Sequence, residues 1–344
     1  MIPLGILLFL LLVFLMLFYG LQRYIVYGQD GVYLDFSGGQ PNVEGPANIV
    51  TNVHAEIVYD SPDYSDMNTT AGQDLTPIKA LYLSASSVTA EKLGDIRGQM
   101  ESMGANALIL EMKDPQGMLS WNSDVQMAVS YGTNGSADLA ESLHFLKEQG
   151  VYLVARISTC VDEYMGLRNT PLALATAEGR VYSDDSGIWL DFSNAEVQSY
   201  TAEVAKSLLR LGFDEIMLAN FEHPVLSSGV ELAYSQQSSI ALTPTIIISG
   251  FAQSMRDAVD EVGGRLSVFC DANSFRSGLD EQTGQNPVLF GKIFDRLYWT
   301  TDGNALSSDM ELAAQAIPRN ELASRFVPIL FATGSTESWV YPIS

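Results

Sequence analysis

The chain has 344 residues, 47% of them apolar, which is enough to bury one large core or two smaller ones. Its formal net charge of −23 excludes a nucleic-acid partner, because no basic cluster is present to neutralise phosphates. Cys160 and Cys270 supply neither a disulfide framework nor a metal-ligand spacing, and His54, His144 and His223 lie too far apart for a zinc signature. No metal or other cofactor is therefore expected, and each cysteine, following an apolar run, reads as a small buried side chain.

Residues 2–21 are apolar, and no charge occurs before Arg23. At about 1.5 Å per residue such a run spans a bilayer as a helix. The flanking Tyr19–Tyr24 offers no small-x-small cleavage site, so an uncleaved single-pass anchor over residues 1–23 is preferred to a signal peptide. Arg23 alone would place the following chain in the cytoplasm, whereas the acidic remainder suits an exported domain, and an extracellular domain is the expectation. Residues 24–76 read as a spacer. Tyr24–Tyr27 and Gly31–Phe36 are short strand candidates, Ser37–Pro46 is a linker, Asn48–Tyr59 has β-branched character, and Ser61–Thr76 is polar.

From Pro77 the chain repeats one unit: an amphipathic helix, a glycine, and a short apolar strand. Leu93, Ile96, Met100 and Met103 recur at helical spacing before Gly104, and Leu139, Leu143 and Leu146 do so before Gly150. Val197, Tyr200, Val204, Leu208 and Leu211 precede Gly212, with Ser193 and Glu196 in a capping-box spacing ahead of them. A further helix is expected over Phe251–Val262, before Gly263 and Gly264. Glycine suits the left-handed position that ends a helix, and near-continuous apolar strands suit a parallel sheet covered on both faces.

Seven strands are predicted: Lys79–Leu83, Ala107–Met112, Val151–Ile157, Asp214–Ala219, Leu266–Cys270, Phe294–Trp299 and Arg325–Phe331. The fold class is α/β, a (β/α)8 TIM-type barrel over residues 77–344. The eighth strand is either missing, leaving the barrel open, or supplied from the N-terminal side by Ile57–Tyr59. An open doubly wound sheet is the alternative, weakened because Ser84–Thr89 replaces any glycine-rich phosphate loop after the first strand.

In a barrel, functional groups collect at the C-terminal ends of the strands. The acids there are Asp114, Asp191, Glu222 and Asp271, with Glu337 nearer the end of the chain. Arg156, Trp189, Asn220, His223, Tyr298, Trp299 and Trp339 accompany them. Acids ringed by aromatic side chains suit carbohydrate, because aromatic faces stack on sugar rings and two carboxyl groups suffice for glycoside hydrolysis. Each residue also has a plain alternative. Asp114 fits an Asp-Pro turn, Asp191 a turn before a helix, Trp121 and Trp189 loop packing, and Arg156 a partner for a neighbouring acid.

Leu110–Gly117 (LEMKDPQG), Gly150–Ile157 (GVYLVARI), Gly187–Asn194 (GIWLDFSN) and Leu211–Ile216 (LGFDEI), in this order, resemble the GHL-type glycoside hydrolase barrel domain of bacteria across roughly Ile78 to Phe331. The resemblance implies a TIM-type barrel of carbohydrate-active ancestry. The chain departs from the family after LGFDEI, where an apolar pair and then Asp-Tyr-Val-Arg-Phe-Pro are the pattern. Here Ala219–Pro224 reads ANFEHP, so the strand-end aspartate is Ala219 and the arginine is Glu222. Two functions are consistent with this. One is a membrane-anchored hydrolase of envelope or extracellular polysaccharide, including peptidoglycan-like glycans, using two of Asp114, Asp191, Glu222 and Asp271. The other is an inactive barrel that binds carbohydrate or acts as a scaffold.

Overall fold

The computed structural model describes residues 25–28, 31–34, 71–235, 243–270, 276, 281–301, 304–330 and 336–343. The chain divides into two units, Met1–Pro62 and Asp63–Ser344. In the first, Ile25–Gly28 and Gly31–Leu34 form an antiparallel hairpin, paired from Ile25↔Leu34 to Gly28↔Gly31. The apolar run at 2–21 lies outside the described residues. Among those that are described, no helix is long and apolar enough to cross a membrane.

The second unit is a closed barrel of eight parallel strands in chain order: β1 (Lys79–Leu83), β2 (Ala107–Lys113), β3 (Tyr152–Ser158), β4 (Glu215–Ala219), β5 (Arg265–Phe269), β6 (Arg296–Thr300), β7 (Phe326–Ile329) and β8 (Trp339–Ile343). The ring closes where β8 pairs with β1, from Trp339↔Lys79 to Ile343↔Leu83. An open sheet is thereby ruled out. The eighth place belongs to Trp339–Ile343 and not to Ile57–Tyr59, which lies outside the described residues. Residues 330–338 carry the chain from β7 to β8 with no helix among those described. The seven expected strands all form; Lys79–Leu83 is matched at both ends, and the other ends are displaced by at most two residues.

Strand alternation sorts the side chains into two apolar clusters. Ala80, Ile109, Val154, Met217, Tyr298, Val327 and Val340 face inward and fill the barrel. Leu81, Leu83, Leu108, Leu110, Leu153, Leu218, Val268 and Leu297 face outward and are covered by helices. Both faces being covered, each strand reads as apolar throughout.

The helices are cut by their caps. In α1 (Ala90–Met103) the Thr89 side chain accepts from the Lys92 N–H, and Gly104 ends the helix at φ 67°. Leu93, Ile96 and Met100 are its buried face. Helix α2 (Ala140–Glu148) buries Leu143 and Leu146. Helix α3 (Ala195–Leu211) ends at Gly212, φ 115°, after burying Val197, Tyr200, Val204 and Leu208. Its cap is Asn194, whose side chain accepts from the Glu196 N–H, rather than Ser193. The Ser193 hydroxyl is committed to Asp191 instead, which removes it from the expected capping box. Helix α4 (Pro244–Asp260) begins well before Phe251, because Thr243 caps it and Pro244 fits its first turn.

Candidate functional site at the barrel mouth

At the C-terminal end of the ring the inward positions leave a cavity of about 210 Å³. Ile109, Met217, Phe269, Ile329, Val340 and Pro342 make its walls apolar, and Tyr82, Arg156 and Thr300 supply its polar groups. The charged member, Arg156, is the fifth residue of β3, placed inward by the alternation that also turns Tyr152 and Val154 in. A charge at an apolar wall needs a partner, and Glu111 on the neighbouring strand provides it. Arg156 Nη1 donates to Glu111 Oε1, and Glu111 Oε2 accepts the Ala85 N–H at 3.0 Å. The two side chains are only 19% and 12% exposed. The guanidinium carbon lies 6.0 Å from the centre of the Tyr82 ring. Burial pushes the Tyr82 hydroxyl up to about 12, against the nearby Arg156 charge and with the Glu111 carboxylate.

Of the acids named from sequence, those among the described residues do not line this cavity. Asp114 Oδ1 accepts the Met118 N–H at 2.8 Å, and the Asp114 carbonyl accepts the Gly117 N–H at 3.0 Å, so the residue closes a turn. Burial raises its carboxyl above the ordinary value, with the Met118 bond opposing. Gly117 completes that turn at φ 93°, and a Cβ there would fall 2.0 Å from Asp162 Oδ1. Asp191 is buried and fully used. Oδ1 takes the Ser193 N–H and hydroxyl at 3.0 and 2.6 Å, and Oδ2 takes the Ser235 N–H at 2.6 Å. It ties the loop before α3 to the loop after β4. Glu222 is half-buried, three residues beyond Ala219, and its backbone and charge act on Cys160, whose thiol burial pushes up to about 12. Asp271 lies outside the described residues.

Among the residues expected to hold substrate, only Arg156 lines the cavity. Tyr298 faces inward but one layer too deep: it is fully buried, and its hydroxyl donates to Glu215 Oε1 at 2.7 Å. Trp299 faces outward, fully buried, with its ring 4.3 Å from that of Phe326. Trp189 and Trp339 are buried in the same outer core, as is Trp121, while Glu337 is exposed. Asn220 adopts φ 49°, and its Oδ1 accepts from the Ser158 hydroxyl at 3.0 Å. His223 is buried, with Nδ1 2.7 Å from the Pro224 carbonyl and Nε2 2.6 Å from the Tyr234 hydroxyl. Burial holds its imidazole below the ordinary value. These contacts are internal ties of the loops after β3 and β4.

Glu111 and Tyr82 are the residues that sequence reading passed over. Strand parity could have found them, since Glu111 is two positions on from the inward Ile109, and Tyr82 two on from the inward Ala80. Behind the mouth, Lys113 Nζ lies 2.8 Å from Asp162 Oδ2 and donates to the Ser158 carbonyl at 2.9 Å, joining the β2 and β3 ends. Among the described residues no group of three or more His, Cys, Asp or Glu side chains is placed to hold a metal ion.

A family profile described as "putative glycosyl hydrolase domain" matches residues 80–298. A search of curated proteins gives no match. Among solved structures, a hypothetical protein from Ruminiclostridium thermocellum aligns over 55% of this chain and 96% of its own, at 22% identity and a TM-score of 0.48. The GH20 exo-β-N-acetylglucosaminidase of Vibrio harveyi aligns over 74% of this chain and 41% of its own, at 9% identity and 0.51. The spore cortex-lytic enzyme SleL of Bacillus megaterium aligns over 75% and 51%, at 13% and 0.45. This chain thus spans about half or less of the two enzymes, and the likeness to the Vibrio enzyme is one of fold alone.

Proposed function

The chain belongs to the family described as a putative glycosyl hydrolase domain, and on that premise we propose that its barrel mouth binds carbohydrate without cleaving it by the paired-carboxylate route. One observation carries the reading: among the described residues, no carboxylate lines the mouth cavity. Hydrolysis by the common route takes two carboxyl groups, about 5 Å apart in retaining enzymes and roughly 6.5–9.5 Å apart in inverting ones. At the end of β4, where the resemblance leads one to expect an aspartate, Ala219 is completely buried. Glu111 is spent on Arg156 and the Ala85 N–H, Asp114 and Asp191 on turns. The remaining walls offer apolar surface to the C–H face of a sugar ring, with Tyr82 and Thr300 hydroxyls for its hydroxyl groups.

Hydrolysis is the second reading. It is favoured by Glu222, half-buried just beyond β4, and by Asp271, which directly follows Cys270. The two part on one experiment with the full chain and a panel of envelope-type polysaccharides. Binding with no new reducing ends supports the first reading. Turnover that disappears in Glu222→Gln or Asp271→Asn overturns it. The apolar run at 2–21 belongs to the same proposal: it anchors the barrel at the outer face of a cell membrane, where such polysaccharides lie. Protease digestion of the barrel on intact cells tests that orientation, and protection of the barrel contradicts it.

A further inference from the structure

We propose that the sugar recognised at the mouth carries a carboxylate, so that the preferred glycan contains uronic acid, and that Arg156 selects it. This rests on reading the mouth as a carbohydrate site and adds the chemical class of the sugar.

Arg156 is the one charged side chain on the cavity wall among the described residues. A guanidinium has five N–H donors and stays charged at any physiological pH. Nη1 is engaged by Glu111, and among the described residues Arg156 makes no other hydrogen bond. Among the described residues its Nε and Nη2 are therefore unclaimed, in a side chain only 19% exposed. A sugar hydroxyl can take one such donor. A carboxylate takes two in the planar fork that guanidinium presents, and each bond is charge-assisted.

Glu111 does not compete for the role of ligand. Its Oε1 holds Arg156, its Oε2 holds the Ala85 N–H, and it is absent from the cavity wall. It acts as a positioning residue that orients the guanidinium from behind. The apolar walls made by Ile109, Met217 and Phe269 keep water from competing for the open donors once a ring is seated. An amino sugar would bring its ammonium against Arg156 with no carboxylate among the described wall residues to receive it. The cavity, about 210 Å³, is below the roughly 300–1,000 Å³ of drug-sized pockets and fits recognition of a single terminal ring. The chain's net charge of −23 does not decide the matter, because charges beyond about 8 Å are largely screened in physiological salt.

The test is calorimetric titration of the full chain in detergent micelles with three ligands: a glucuronic acid oligomer, its carboxyl-reduced neutral counterpart, and a glucosamine oligomer. The acidic oligomer is expected to bind at least about tenfold more tightly than its reduced form. Arg156→Gln should remove that preference and change affinity for the neutral oligomer less than about threefold. The comparison of ligands is made on the native protein, so it stands whether or not the variant folds. Equal binding of the acidic and neutral oligomers, or preference for the amino sugar, overturns the assignment and leaves the carbohydrate reading in place. Failure of all three to bind overturns both.

Discussion

Two glutamate–arginine pairs face into this barrel, one at each end, and they are built to different ends. At the N-terminal end Glu215 and Arg296 are 0% and 1% exposed. Glu215 accepts from the Ser267, Tyr152 and Tyr298 hydroxyls at 2.6, 2.9 and 2.7 Å as well as from Arg296. Arg296 also donates to the Ser324 carbonyl at 2.9 Å and the Thr76 carbonyl at 3.0 Å. Burial works against its charge, and Glu215 with the adjacent tyrosines more than offsets this, leaving the guanidinium above its ordinary value. At the C-terminal end, among the described residues, Glu111 holds Arg156, the Ala85 N–H and the Tyr82 hydroxyl, and Arg156 makes one hydrogen bond, to Glu111, beside its contact with the Tyr82 ring. A closed network leaves nothing for a ligand and holds the strands together. An open one, at a cavity, has donors to give. The contrast follows the division of labour in such barrels, stability at the bottom and recognition at the top.

The most severe way to test that contrast is Glu215→Ala, which strands a buried guanidinium and should cost about 3–5 kcal/mol in denaturant unfolding. A loss under about 1 kcal/mol would end the distinction between the two pairs. Asp191→Ala leaves the Ser193 and Ser235 donors without an acceptor and should cost about 1–3 kcal/mol, with glycan affinity retained in the folded protein. Loss of affinity without loss of stability would return Asp191 to the site. Glu111→Gln is isosteric and keeps an acceptor oxygen for the Ala85 N–H or Arg156, so its cost should be about 1 kcal/mol, well below that of Glu215→Ala.

Smaller still is a pH effect. The His223 pKa is lowered in the folded state, so the unfolded chain binds its proton first as pH falls. Stability contributed by the neutral ring is complete above the unfolded value of 6.5 and declines as pH drops below it toward the folded value. Denaturant midpoints measured from pH 8 to 5 should show this slope in the native chain and a flatter one in His223→Gln. Equal slopes would mean that His223 is not the group responsible.

Much of the barrel could be read from residues alone, because covering both faces of each strand makes apolar runs that helices and glycines then punctuate. β8 escaped because the short stretch of residues 330–338 before it has no helix among those described, and because it contains Pro342, which reads as a strand breaker. The site was less legible. Asp114, Asn220 and His223 follow strand ends and Asp191 lies in the loop before α3, yet their side chains serve turns and loop ties, and composition cannot separate those uses. Parity separates more than it was asked to. On β6 it sends Arg296, Tyr298 and Thr300 inward and Trp299 outward, so Trp299 could not have faced the mouth; depth then removes Tyr298, which donates to Glu215. On β2 the same parity turns Glu111 in beside Arg156, the pair that organises the mouth.

The central proposal is that this mouth recognises a glycan through Arg156, the described residues supplying no carboxylate pair at the cavity. The most direct measurement is a single incubation of the full chain with uronic-acid-containing polysaccharide, read for both retention and new reducing ends. Retention lost in Arg156→Gln, with no reducing ends released, is the predicted result. Reducing ends released by the native chain and abolished in Glu222→Gln or Asp271→Asn would contradict it.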